Sequence, residues 1–379
     1  MRLRSALVLA CVALGGRTAE AQRGPAGRGQ QPSATWTLDV SDARPLAPAG
    51  TDLHRIVGAA VIDDIVVIAN AGTHQLLFFD TTGAFLFARG HEGGGPGEFR
   101  ALAWVKPCRG GVATWDDRNT RLTLWNASGN RLRDWSLPGS PPGITRVPIG
   151  VVESCKVIVR LGRSYDEPPR GVFAPPTAIV VLEPGGPFST DTLLAFDGRR
   201  VYVHDHGSGS SVNSMPFQPA PFVLSRGEEL IFGTAEELAY VVIDLSGAQR
   251  QSVRETDARR VRLPADSIGA YRERRISRSP ESFRRMATEV ANAMPMPDHL
   301  PAVSQAQVDA LGNVWLQEGG LDTLSRWLVF DGTGDRIAEV AIPRRYRLVS
   351  IADTWIVTVH TDEDDVEYAS LVPLDKNGA

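Results

Sequence analysis

One short stretch has the composition of a metal site. His204, Asp205 and His206 are consecutive. Residues two apart on a strand point to one face, so both imidazoles would lie together with a carboxylate at hand. Such donors suit a zinc-like divalent ion. A third ligand, His74 or His360, would have to come from a distant part of the chain. The Gly- and Ser-rich residues 207–211 give the competing reading, a polar loop. Asp362-Glu363-Asp364-Asp365 is an acidic run whose spacing matches no calcium loop, and a solvated turn accounts for it. Nucleophilic catalysis has no footing here: neither a Gly-x-Ser-x-Gly elbow nor a zinc-protease helix motif occurs.

A second kind of chemistry comes from arginine. Arg272, Arg274, Arg275, Arg278, Arg284 and Arg285 crowd a segment of about Asp257–His299. Guanidinium forks bind carboxylates and phosphates bidentately, so the segment could present them to an anionic ligand or partner. Ser279 reads as a helix N-cap with Pro280 at the first helical position. Phe283, Met286, Val290 and Met294 then recur at helical spacing, and an earlier short helix is expected over Ala265–Ile276. The competing reading is a solvated helical face docked by its apolar stripe.

The elements that must position these residues are β-strands. A pattern recurs in which two mostly apolar residues precede Asp, Asn or Glu, and Gly follows three residues on. It appears at Phe78-Phe79-Asp80 with Gly83, Leu124-Trp125-Asn126 with Gly129, and Val181-Leu182-Glu183 with Gly186. It returns at Val242-Ile243-Asp244 with Gly247, Val329-Phe330-Asp331 with Gly334, and Pro373-Leu374-Asp375 with Gly378. Each reads as a strand ending in a tight hairpin, with a side chain bonding the turn backbone and Gly taking positive φ. The spacings are 46, 57, 61, 87 and 44 residues. The short ones fit one four-stranded unit, and the long ones fit a unit plus an insertion.

The expected fold is therefore all-β: a six-bladed β-propeller of four-stranded blades spanning 34–379, with one helical insertion between blades 4 and 5. The last unit lacks a fourth strand, and Thr35–Val40 is strand-like without a unit of its own. That N-terminal strand is expected to close the last blade and remove the open edge. Links between blades and links between second and third strands share one end of such a ring. This end gathers the candidate ligand residues His74, Arg118, His204, His206, Arg272 and Arg275.

Charge and cysteine content narrow the setting. Arg2 and Arg4, the apolar run Ala6–Leu14 and Ala19-Glu20-Ala21 lay out a secretory signal peptide over 1–21, with a disordered leader over 22–33. Lipidation at Cys11 is the lesser alternative. Without residues 1–21, which hold three Arg and one Glu, 37 basic face 43 acidic residues, a net of −6. This excludes a nucleic-acid footprint, and no later run is apolar and long enough to span a bilayer. A secreted or periplasmic monomer is expected. Cys108 and Cys155 remain, either as a disulfide or as two separate buried thiols.

After the first unit comes Gly90-His91-Glu92-Gly93-Gly94-Gly95-Pro96-Gly97-Glu98-Phe99. It resembles the Gly-Pro-Gly-Glu-Phe signature of bacterial secreted six-bladed propellers related to NHL-repeat proteins. Leu300-Pro301-Ala302 and Asp309–Trp315 look like that family's approach to a late blade. Gly95, Pro96, Gly97, Glu98 and Phe99 read physically as a blade-to-blade link: glycines permit close approach, Pro96 sets one φ, and Phe99 plugs between blades. The resemblance assigns no chemistry. The leading expectation is a recognition or scaffold module for a protein, peptide or glycan, with no cofactor. The alternative implied by related propellers is a lactonase- or lyase-type enzyme with a divalent metal at the channel mouth.

Overall fold

The computed structural model describes residues 34–376, apart from Ala49, Thr51 and Ser208. The expected signal peptide and leader lie outside the described residues.

The chain starts with β1 (Ala34–Leu38) and the short β2 (Arg44–Pro45). A first antiparallel sheet follows: β3 (Ile56–Ile62), β4 (Ile65–Asn70), β5 (Gln75–Asp80) and β6 (Phe85–Arg89). The second is β7 (Leu102–Cys108), β8 (Gly111–Asp116), β9 (Arg121–Asn126) and β10 (Arg131–Ser136). The third begins with β11 (Ile144–Val151) and β12 (Val157–Arg163), is interrupted by β13 (Gly171–Phe173), and ends with β14 (Pro176–Leu182) and β15 (Leu194–Asp197). Next come β16 (Val201–Asp205) and β17 (Ser210–Ser214), which join β13 in a small sheet of their own. The fourth large sheet is β18 (Phe222–Arg226), β19 (Glu229–Gly233), β20 (Ala239–Asp244) and β21 (Gln249–Arg254). Helices α1 (Ala265–Ser277) and α2 (Arg284–Ala293) follow, separated by a 3-10 turn at Glu281–Phe283. The fifth sheet is β22 (Val303–Val308), β23 (Val314–Glu318), β24 (Leu324–Phe330) and β25 (Arg336–Pro343). The last is β26 (Arg347–Ile351), β27 (Trp355–Thr361) and β28 (Glu367–Asp375).

The cores lie between successive sheets. Val67, Leu76 and Phe78 of the first sheet pack with Leu102, Val105 and Trp125 of the second. Trp315, Trp327 and Val329 of the fifth pack with Leu348, Ile351 and Ile356 of the last. The series returns on itself, because Val66, Ile68 and Phe79 of the first sheet pack with Val357, Val359 and Leu371 of the last. Middle strands sandwiched this way need apolar or small residues on both faces. β8 and β23 are accordingly buried along their whole length. At one end the turns are bonded in series: Arg109 N donates to Glu153 O and Glu153 N to Gly227 O, each at 3.0 Å. Cys108 and Cys155 form a disulfide at that end, with Cα atoms 5.3 Å apart, tying the second sheet to the third.

The recurring turn has the expected chemistry in most copies. Asp80 Oδ1 accepts from the amides of Thr82 and Ala84, each at 2.9 Å, and Gly83 takes φ 91°. Asp244 and Asp331 repeat the arrangement. The third copy departs from the expected tight hairpin. Residues 183–193 make a longer link between β14 and β15, and Gly185 carries the positive φ in place of Gly186. Pro184 and Pro187 account for this, since neither can donate to a ladder. Gly378 of the sixth copy lies outside the described residues.

Closure involves more than Thr35–Val40 alone. Thr37 and Leu38 pair antiparallel with Asp375 and Leu374, whereas Ala34–Trp36 run parallel to Ala338–Val340 of the fifth sheet. Beyond a break in pairing, β2 continues the edge against Leu371 and Ser370. Trp36, only 7% exposed, packs its ring 5.8 Å from that of Trp315.

Replacing Trp36 by Ala is expected to cost about 3–5 kcal/mol through the cavity left behind. An unchanged urea midpoint would show that β1 is not part of the cooperative unit. Acid supplies a second measurement. The Ser246 hydroxyl and the turn amides hold Asp244 down at about 2, below the usual 3.8. Its charged form therefore stabilises the fold above about pH 4, and that contribution fades as pH falls toward 2. Asp244→Asn should flatten the loss of stability between pH 4 and 2 in denaturant titrations.

Candidate recognition site at the link end

In an antiparallel four-stranded sheet, the link between the second and third strands leaves the same end as the link to the next sheet. Three of these links are enlarged, and they fold onto one another. β13 comes from the link between β12 and β14, β16 and β17 from the link before β18, and the helices from the link before β22. Val290 and Met294 of the α2 segment are buried with Met215, and Tyr202, Met286 and Met296 pack around them. The Phe217 and Tyr271 rings meet edge-on at 6.0 Å.

The expected helix start is corrected by this packing. Ser279 does not cap a helix; its hydroxyl donates to Arg275 O at 2.8 Å and helps close the end of α1. The 3-10 turn comes next and α2 begins only at Arg284, so Phe283 leaves the apolar stripe and is 55% exposed.

The candidate residues divide into two groups. Arg272 and Arg275 belong to the helix–sheet unit and act as its anchors. Arg272 Nε donates to Ala291 O at 3.1 Å, and Arg275 Nη2 donates to Asn213 Oδ1 of β17 at 2.6 Å. His204 lies on β16 of the same unit, opposite Ser211, with its ring 6.0 Å from Tyr202. His206 follows the strand end, and its amide donates to Gly209 O in the turn that joins β16 to β17. Asp205 accepts from Gly207 N at 2.9 Å, which holds its pKa below the usual value, and pairs with Arg170 at 2.8 Å. Among the described residues, no three His, Cys, Asp or Glu side chains gather as metal ligands would. His74 and Arg118 lie on the corresponding links of the first and second sheets. His74 takes φ 59°, and its Nδ1 is buried without a partner. Asp362 is occupied in its own turn, accepting from Val366 N at 2.9 Å and Tyr368 Oη at 3.0 Å.

The guanidinium groups of Arg274, Arg278 and Arg284 are exposed and make no hydrogen bond or ion pair among the described residues. The first strands of the sheets add a signal that composition alone conceals. Lys106, Arg146, Arg226 and Arg347 lie on them, and no Asp or Glu does. Lys106 has accessible surface, yet its surroundings push its pKa down by desolvation, as for a group facing an internal space.

The Gly-rich link is bound up with structure. Phe99 is buried between the first two sheets, 6.0 Å from the Trp125 ring. Glu98 Oε2 accepts from Gly95 N at 2.6 Å, and Asn119 Nδ2 donates to Gly93 O at 3.1 Å. Gly90, at φ 88°, sits so close to the Phe99 ring that a Cβ would approach it to 2.7 Å.

No protein-family model and no curated protein sequence matches this chain. Solved structures with a similar chain path include a DUF4221 family member from Bacteroides vulgatus ATCC 8482, at 10% identity over 91% of this chain and 99% of that one, TM-score 0.49. An exported-protein candidate from Bacteroides fragilis NCTC 9343 has 13% identity over 90% and 97%, TM-score 0.46. A virginiamycin B lyase from Staphylococcus aureus has 13% identity over 86% and 97%, TM-score 0.38. These likenesses assign no chemistry here. Among the described residues no helix is long and apolar enough to cross a membrane.

Arg275→Ala would leave Asn213 Oδ1 without its charged donor and cost about 1.5–3 kcal/mol locally. Hydrogen exchange is expected to quicken across Ala265–Ser277 and stay unchanged in β23. Uniform quickening, or none, would show that the contact does not hold the helices in place.

Proposed function

We propose that this chain is an exported, monomeric six-bladed β-propeller that works as a recognition module. Counted as blades, four of the sheets are complete in themselves, and the fifth and last, which β1 joins into one nine-stranded sheet that includes β2, make two more. The helical insertion then falls between the fourth and fifth blades. The binding surface is the helix–sheet unit, and the ligand class is an anionic segment of a protein, peptide or glycan. Recognition of this kind uses no cofactor.

One observation carries the reading. Three separate links converge on one end to build a unit that the sheets themselves do not require. The unit exposes Arg274, Arg278 and Arg284, and Phe283, next to Arg284 in the chain, is exposed with them. Unpaired arginines next to an exposed aromatic ring are the composition of interface centres. The rest of the protein is net acidic, so attraction to polyanions has to be local.

Immobilised poly-glutamate tests this. The native protein should be retained at low ionic strength and released by salt. Arg274→Glu, Arg278→Glu and Arg284→Glu combined should pass unretained with an unchanged Tm. Equal behaviour of the two proteins would overturn the proposal.

A further inference from the structure

Independently of the helix–sheet unit, a cavity of about 180 Å³ opens at the link end between the fifth and last sheets. Its floor comes from one face of the fifth sheet. Gln305 pairs with Gln317, and Gln317 with Trp327, so these three stand in a row across β22, β23 and β24. Directly paired residues share a face, and Trp327 packs toward the last sheet. The row therefore lies in the gap between the two sheets. Ser304 and Ser325 also line the cavity. Its rim is the short link of residues 344–346 and the first residue of β26, Arg347, which together bring three guanidinium groups and the Tyr346 ring.

The charges around this cavity are lopsided. No Asp or Glu lines it. Arg347 pairs with Glu367 at 3.4 Å. Arg344 Nε donates only to the Asp322 backbone carbonyl, at 2.8 Å, and Arg345 engages only Tyr346, with its guanidinium 5.0 Å from the ring centroid and 3.3 Å from the hydroxyl. Neither of these two has a carboxylate partner among the described residues. Beneath them Trp327 is 1% exposed, and its indole N–H is buried without an acceptor. Buried donors are nearly always satisfied, so an unsatisfied one on a residue that lines a cavity is a sign of a missing partner. A larger groove of about 290 Å³, lined by Arg44, Thr81, Thr354, Trp355, Leu371 and Pro373, has none of this character. Its one guanidinium is engaged with Thr81 O.

We infer that the cavity between the fifth and last sheets is a binding site for a small hydroxylated carboxylic acid of the sugar-acid class. The planar forks of Arg344 and Arg345 receive the carboxylate. The amides of Gln305 and Gln317 donate and accept, and the hydroxyls of Ser304 and Ser325, whose protons go to the carbonyls of Gln317, Glu318 and Ile342, can accept, which suits sugar hydroxyls. The Tyr346 ring supplies an apolar wall for the carbon skeleton. The volume limits the ligand to a small molecule, since drug-sized sites run to roughly 300–1,000 Å³.

Calorimetric titration of the native protein with glucuronate, galacturonate, glucose and inorganic phosphate tests the assignment. At least one of the two sugar acids should bind saturably, and glucose and phosphate should bind about tenfold more weakly or not at all. Arg345→Ala removes an exposed side chain without touching the core, and should weaken the sugar acid about tenfold at unchanged Tm. Gln317→Leu should weaken the sugar acid and leave any phosphate binding as it was. No binding by either acid, equal binding of phosphate, or an Arg345→Ala protein that binds as the native one would each overturn it. The Arg274, Arg278 and Arg284 variant should bind the sugar acid normally, so this site and the proposed surface stand or fall separately.

Discussion

A row of four-stranded sheets packed face to face leaves an unpaired edge and two uncovered faces unless its ends meet. Ala34–Leu38 removes the problem by lying between β25 and β28 and hydrogen-bonding to both. Its Trp36 then fills the wedge beside Trp315. Once that contact is made, the first sheet can seal the last, as Phe79 against Val357 and Val359 shows. Every other packing layer repeats this geometry with local sequence. Closure alone joins residues more than 300 positions apart: Ile56 N donates to Glu367 Oε2 at 2.6 Å. Contacts of such long range lose chain entropy before packing compensates, so the order of the whole ring rests on them.

Closure also decides where chemistry can sit. With the middle strands of the large sheets buried on both faces, side chains that can meet a ligand are confined to the strand ends, the links and the edge strands. The links at one end grow, and the turns at the other stay short apart from residues 183–193, so most of the added structure is one-sided. The turns opposite are bonded to one another and braced by the Cys108–Cys155 disulfide. A rigid base beneath a variable end is the arrangement by which loops on a fixed scaffold carry recognition. Arginine is enriched at the link end in two places with different surroundings. On the helices it is solvent-facing, whereas between the fifth and last sheets it rims a lined cavity.

Much of the fold was legible because its signals are local. The Asp-x-x-Gly turn needs only its own residues, so Asp80, Asp244 and Asp331 could be read as turn formers without any partner in view. The strand runs around them followed from short apolar stretches. The third copy misled because Pro184 and Pro187 change the turn while the consensus letters survive. Ser279 misled for a related reason. A hydroxyl before Pro has the appearance of a cap, but the preceding helix offered Arg275 O first. The sugar-acid cavity gave no local sign. Gln305, Gln317 and Trp327 are adjacent only through strand pairing, and Arg345 joins the same cavity from the next link.

The sequence by itself determined the element type, the turn chemistry and the demand for a closing strand, because these depend on neighbours along the chain and on the period of burial. It also carried the concentration of arginine before the fifth sheet. Tertiary structure decided the roles. It made Arg272 and Arg275 anchors and left Arg274, Arg278 and Arg284 free, although all five belong to one short basic segment. It also divided closure between β1, which pairs with both β25 and β28, and β2, which continues along β28 after a break. Which side chain is free to bind depends on what packs beside it, and that is settled only when distant segments meet.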